Sequence, residues 1–308
     1  MKIYNQIIVT LFAASVVLTS CEDVINPDLQ SAKAELVVEA WINNKPGDQV
    51  INLMMTQPYF ENTTPPGVSG AVVTVQDSEG EVMNFVEDSK QKGYYRWSPS
   101  TPGGTFGQIG REYRLTVSLK GELFESYSYM GRVPEIDSIS FKFEEKATFY
   151  PKNSYTGEFW ARDPAGSGDA YWIKTYKNDT LLNKPSEIIL AFDAGFSPSG
   201  NFDGVTFIPP IRTSINPFNE DKDGKIISPY LPGDSVYVEL HSITYTSFAY
   251  LNEVVIQTNR PGGFGELFSS PLSNVSTNIF NANADGSKVV GFFNVAAVSG
   301  LGKKVKAK

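Results

Sequence analysis

From residue 35 onward, apolar and polar positions alternate over short runs broken by turn residues, and a period of two predicts strands. Residues 35–42 and 48–56 are rich in β-branched and apolar side chains. Asn43, Asn44, Lys45, Pro46 and Gly47 between them read as a turn, so the two runs form a hairpin. Residues 71–75 and 81–86 form a second hairpin around an acidic turn that ends at Gly80. Residues 93–97, 112–119 and 122–129 continue the series, with Lys120 and Gly121 as the tight turn between the last two. This density of short strands with regular turn signals predicts a β-sandwich domain over residues 35–133.

Val133 and Pro134 mark a boundary, because proline favours an extended joint and strand patterning restarts behind it. The stretch 134–300 reads as a second β-rich domain. Its strands fall at 138–144, around Trp160, at 171–176, 187–193 and 235–243, and at 289–298, with a loop at 163–169. A long segment rich in Gly, Pro, Asn and Asp, 194–230, interrupts them, and loops of that length serve a function or lack order. One helix is predicted: Thr246 and Ser247 can cap it, Phe248, Leu251, Val254 and Val255 share a face, and Pro261 stands beyond its end. Residues 301–308, with Lys303, Lys304, Lys306 and Lys308, read as a frayed basic tail. The order of strands from Gly70 to Val117 resembles immunoglobulin- or transthyretin-like modules. The expected fold class is therefore mainly β: an N-terminal immunoglobulin/transthyretin-like β-sandwich, then a second β-rich domain with one short helix.

The start of the chain obeys a different pattern. Residues 7–18 form an apolar run behind Lys2, too short to span a bilayer and of the length found in export signals, so residues 1–20 read as a signal peptide. The run ends in Leu18, Thr19, Ser20 and Cys21, which resembles a bacterial lipobox. Cys21, the only cysteine, is then the lipidation site, carrying diacylglycerol and palmitate, and residues 21–34 form the tether. A lone cysteine also excludes an intramolecular disulfide, so stability rests on an ordinary core. Glu22 and Asp23 resemble the acidic signals that carry lipoproteins of Bacteroidota to the outer face of the outer membrane. Cleavage before Cys21 removes Lys2 and no acidic residue, taking the net charge from −8 to −9. Bulk charge of that sign binds neither nucleic acid nor an anionic membrane.

Candidate chemistry is sparse. His241 is the only histidine, which excludes multi-histidine metal sites and leaves one possible base for a catalytic triad. Strand alternation puts it with Tyr237 and Glu239 on the more polar face of 235–243, where a hydrogen-bonded or wet histidine is expected. No pair of carboxylates stands apart by spacing, and no catalytic residue is assigned. Asn219, Asp221, Asp223 and Gly224 reproduce positions 1, 3, 5 and 6 of a calcium loop, and Ile226 fits position 8. Tyr230 occupies position 12, so calcium would need an outside ligand such as Asp234; the other reading is a soluble acidic turn. Tyr59, Phe60, Phe196, Phe202, Phe207, Phe264 and Phe268 are candidates for a glycan- or protein-contacting surface, against burial under their own loops. Thr180, behind Asp179 in an expected turn, resembles a site at which Bacteroidota O-glycosylate exported proteins.

Stretches 36–42, 68–77, 113–117, 133–138, 231–243 and 290–298 together resemble Bacteroidota lipoproteins grouped as domain of unknown function 4249. The resemblance spans nearly all of the mature chain. It implies an outer-membrane lipoprotein that accompanies a TonB-dependent transporter, and it supplies no catalytic residues. The expectation is a non-enzymatic, surface-exposed binding or accessory component for an unknown glycan, peptide or small nutrient, with no cofactor beyond the calcium reading. The opposing expectations are a carboxylate-dependent carbohydrate-active hydrolase and a purely structural envelope component.

Overall fold

The structure, a computed structural model, describes residues 33–58, 61–147 and 149–308, with all their side chains except those of Phe264 and Leu267. Residues 34–308 make one compact unit. It opens as a run of strands: β1 (Leu36–Asn43), β2 (Gln49–Met55), β3 (Val72–Asp77), β4 (Val82–Glu87), β5 (Tyr94–Trp97), β6 (Glu112–Leu119) and β7 (Glu122–Tyr129). Then follow β8 (Ile136–Phe143), β9 (Tyr155–Ala161), β10 (Ala170–Lys177), β11 (Thr180–Leu181) and β12 (Ile189–Phe192). A helical turn α1 (Pro209–Arg212), β13 (Ser235–Ile243), helix α2 (Tyr245–Thr258), β14 (Phe280–Asn281), β15 (Val289–Ala296) and β16 (Val298–Lys304) complete it. The fold is mainly β, as the patterning predicts.

Turn chemistry explains the local pairing. Lys120 and Gly121 both take positive φ, 50° and 85°, between the paired residues Leu119 and Glu122, the geometry of a two-residue hairpin turn that matches strand twist. Asn178 and Asp179 do the same between Lys177 and Thr180. The Asp77 carboxylate accepts the amide protons of Glu79 and Glu81 and so closes the β3–β4 turn.

The first seven strands join β14 and β15 in one nine-stranded sheet of order β14-β7-β6-β3-β4-β5-β2-β1-β15. That sheet curls until its ends meet: the Val295 amide donates to Ser128 Oγ on β7 at 3.0 Å. Inside it lie Val38, Ile51, Leu53, Val75, Leu115, Val117 and Phe293, all buried. A five-stranded sheet of β10 to β13 and β16, together with the β8–β9 pair, encloses a second cluster around Phe159, Tyr171, Tyr230 and Val238. The run 289–298, expected as one strand of the second domain, divides. β15 runs parallel to β1 in the first sheet, and after Ala297 the chain crosses into the second as β16, antiparallel to β13. The crossing is held by Ser242 Oγ, which accepts the Ala297 amide at 2.8 Å, and by Asn44 Oδ1, which accepts that of Val298 at 2.8 Å. The expected boundary at Val133 and Pro134 is thus bridged by the returning chain.

Two further differences have plain causes. Residues 301–308 are not frayed: β16 reaches Lys304, Val305 is buried, and its amide and carbonyl pair with Asp234 and Gly233. The helix is capped two residues earlier than expected, by Thr244, whose Oγ1 accepts the Ser247 amide at 3.1 Å. Its buried face, Phe248 and Leu251, packs on β12 through Phe192, while Tyr250 stacks on Phe292 of the first sheet at 4.3 Å. Helix α2 therefore seals the junction of both sheets.

Candidate functional site

The only histidine lies at that junction, but not on a wet face. In β13 and β10, His241 stands opposite Trp172 and Glu239 opposite Lys174, so four side chains of one sheet face project together. That face is covered by the β1–β2 turn and Trp41, which leaves Glu239 and His241 buried. Glu239 accepts hydrogen bonds from His241 Nε2 at 2.8 Å and Tyr176 at 3.3 Å, and it pairs with Lys45. Because an ionised carboxylate only accepts, the imidazole carries its proton on Nε2. Burial drives the His241 pKa down to about 4 despite Glu239. Burial alone would raise that of Glu239, but hydrogen bonds and charge from His241 and Lys45 bring it to about 2. Lys174, desolvated with its Nζ 3.8 Å above the Trp172 ring, falls to about 8. The cavity that Trp172, Lys174 and His241 share with Asn43 and Asn294 measures about 20 Å³, too small for any substrate. The cluster is a buttress between sheets.

Lys174 carries a measurable consequence. Its ammonium is held at neutral pH in a site that disfavours charge, and a packed apolar replacement removes that penalty. Lys174→Met is expected to raise stability by about 1 kcal/mol at pH 7, after loss of the cation–ring contact is counted. The unfolded lysine holds its proton up to about 10.5 and the folded one only to about 8. Stability of the parent chain therefore rises between those pH values, and thermal melts should show the variant's advantage shrinking there.

A more open recess lies on the far side of the same junction. The end of β7 contributes Tyr129, followed by Gly131 and Arg132; the 163–169 loop contributes Gly168 and Asp169; β13 and the start of α2 contribute Ser242, Thr244 and Tyr245. Its volume is about 220 Å³. Arg132 organises it. Its Nε donates to Asp169 Oδ2 at 2.8 Å, Nη1 to the Ala165 carbonyl at 2.9 Å, and Nη2 to the carbonyls of Pro164 and Gly166. Asp193 supports the loop from beneath, its Oδ1 accepting the amides of Gly168 and Asp169. Burial raises the pKa of Asp169 against the pull of Arg132, and raises that of Asp163, which accepts from the Tyr171 hydroxyl at 2.7 Å. With Arg132 engaged in the loop and the buried Ser242 hydroxyl taken up by the Ala297 amide, the recess presents the Asp169 carboxylate and two exposed phenol rings, Tyr129 and Tyr245. Such a set takes up a hydroxylated or amide-bearing group by hydrogen bonding and ring contact. Arg132 and Asp169 are far apart in sequence, and only the Gly-rich 163–169 loop signals the place.

The residues singled out from sequence scatter. Cys21, Tyr59 and Phe60 lie outside the described residues, as does the side chain of Phe264. Phe196 and Phe268 are exposed. Phe202 is half-buried over Gly195 and Gly200. Phe207 is fully buried between Phe159 and Tyr171 and offers nothing to a ligand. It belongs to a general feature of the 194–230 segment, which folds back as the lid of the second core through Phe207, Ile211, Ile215 and Tyr230. There the Asn216 amide pairs with both backbone groups of Gly157, at 2.7 and 2.8 Å, in place of a neighbouring strand.

The Asn219, Asp221 and Asp223 stretch forms a small hairpin, not an open ligand loop. Asp221 Oδ1 accepts the amides of Asp223 and Lys225, and Asn219 Oδ1 accepts from Lys184. Tyr230, at the position of the missing glutamate, is buried and donates to the Ile215 carbonyl. Among the described residues no group of three His, Cys, Asp or Glu side chains could hold a metal. Thr180 is exposed beside its two-residue turn.

A wrapped nine-stranded sheet, welded by a crossing strand to a smaller sheet and sealed by one helix, defines a mainly β class with a recess at Arg132 and Asp169 where the two sheets meet. The chain belongs to the family described as Domain of unknown function (DUF4249), whose model matches residues 22–300. No curated protein matches it.

Proposed function

We propose that the protein is a lipid-anchored component of the outer membrane of a Bacteroidota cell. Held through Cys21 and displayed at the cell surface, it acts without catalysis of its own as a binding or accessory partner of a TonB-dependent transporter in nutrient uptake. The observation that carries this reading is the apolar run that ends in Leu18, Thr19, Ser20 and Cys21, followed by Glu22 and Asp23. Two facts support it. The family match begins at residue 22, directly after the cysteine, and Pro27 and Ser31 in the stretch before the body give it the composition of a tether. The recess beside Tyr129 and Tyr245 is the ligand contact in this reading, and its polar groups suit a glycan or peptide fragment.

The test is labelling of cells with a clickable palmitate. The parent chain is expected in the membrane fraction with label, accessible to protease added to intact cells, and to bring down a β-barrel transporter through an affinity tag. Cys21→Ser is expected without label and in the soluble fraction. An unlabelled parent chain found free in the periplasm defeats the proposal.

A further inference from the structure

In a chain of net charge −8, four lysines fall between residues 303 and 308. They rim a groove of about 490 Å³ where β16 passes β8, floored by Phe141, Phe143 and Tyr155. Among the described residues each of these strands has a strand partner on one side only, β13 for β16 and β9 for β8. The floor is built: Phe143 packs on Tyr155 at 5.2 Å and Phe141 on Tyr230 at 6.1 Å, and the amide of Lys308 donates to the Tyr155 hydroxyl at 2.8 Å. Lys308 Nζ lies 5.3 Å from the centre of the Phe143 ring and pairs with Glu145. Among the described residues, Lys304 and Lys306 have no ion-pair partner.

An apolar floor under unpaired cations fits a ligand with an apolar body and an anionic end. We propose that this groove binds a single-chain acyl carboxylate, its chain along Phe141, Phe143 and Tyr155 and its carboxylate between Lys304 and Lys306. Two other occupants fit worse. An extended peptide would pair with the open edge of β8, but Lys303 crosses from β16 and donates to the Ile139 carbonyl at 2.6 Å, which blocks that edge. A bilayer surface would need protruding apolar side chains, whereas the phenylalanines here are half-buried at the bottom of the groove. The proposal is independent of acylation at Cys21.

The probe is laurate below its micelle concentration, titrated calorimetrically into the full chain carrying Cys21→Ser. Laurate is expected to bind, acetate to give no heat, and dodecyl maltoside, which has the same chain without the charge, to bind at least about tenfold more weakly. Lys304→Glu with Lys306→Glu is expected to weaken laurate roughly tenfold or more, and Lys304→Gln with Lys306→Gln to weaken it less, both with unchanged melting temperature. If charge reversal perturbs folding, the glutamine pair decides alone. Unchanged affinity in the glutamine pair, equal binding of dodecyl maltoside, or association with phosphatidylglycerol vesicles in the absence of laurate binding would each overturn it.

Discussion

Gly291→Ala is expected to unfold much of the molecule's margin of stability, with a loss of about 3–4 kcal/mol read from urea denaturation. Gly291 sits in β15 at φ 108°, opposite Val38 of β1. A Cβ there would be driven into the Val38 backbone, 2.7 Å from its amide nitrogen and carbonyl carbon even before the closer carbonyl oxygen is counted. A strand cannot yield to that contact without giving up the parallel pairing that carries the chain back to β1. Gly47→Ala provides the control, because Gly47 has nearly the same φ, 110°, and open space around it. It should lose only about 1 kcal/mol, the strain of a side chain in a left-handed conformation. Equal losses in the two variants would show that the clash with β1 does not matter.

The same strand shows what was legible in the sequence and what was not. Hairpins could be read locally, since Lys120 with Gly121 and Asn178 with Asp179 state their turn chemistry on the spot. The crossing at Ala297 could not: nothing in the apolar run 289–298 reveals that its two halves join different sheets. β16 was hidden for a related reason. Its sequence, with Gly300 and Gly302 among lysines, has no alternation to read, because the glycines make room for the Tyr237 ring, 2.8 Å from a Cβ placed at Gly300. Phe207 in the long segment looks like a spare aromatic, and Tyr230 like the wrong residue at position 12 of a calcium loop, until the second core is assembled around them. Likewise the acceptors of Arg132 come from a loop more than thirty residues away, so the recess exists only in three dimensions.

Replacement of Glu239 is the other large effect. Glu239→Leu leaves the Tyr176 hydroxyl and His241 Nε2–H without their acceptor and removes the anion facing Lys174, so a loss of about 3–5 kcal/mol is expected at pH 7. Its pH signature separates this cause from simple loss of packing. In the parent chain, Glu239 ionises at about 2 when folded against 4.5 ordinarily, so its contribution is whole above pH 4.5 and disappears as pH falls towards 2. His241 takes up a proton at about 4 when folded against 6.5 ordinarily; the unfolded state binds that proton first, so stability declines as pH falls from 6.5 to 4. Each proton contributes a slope of up to about 1.4 kcal/mol per pH unit. Glu239→Gln should abolish the lower part of the acid decline and keep the upper, while His241→Gln should abolish the upper and keep the lower. Were both variants to follow the parent's pH profile, the buried pair would not be what couples the two sheets to acid.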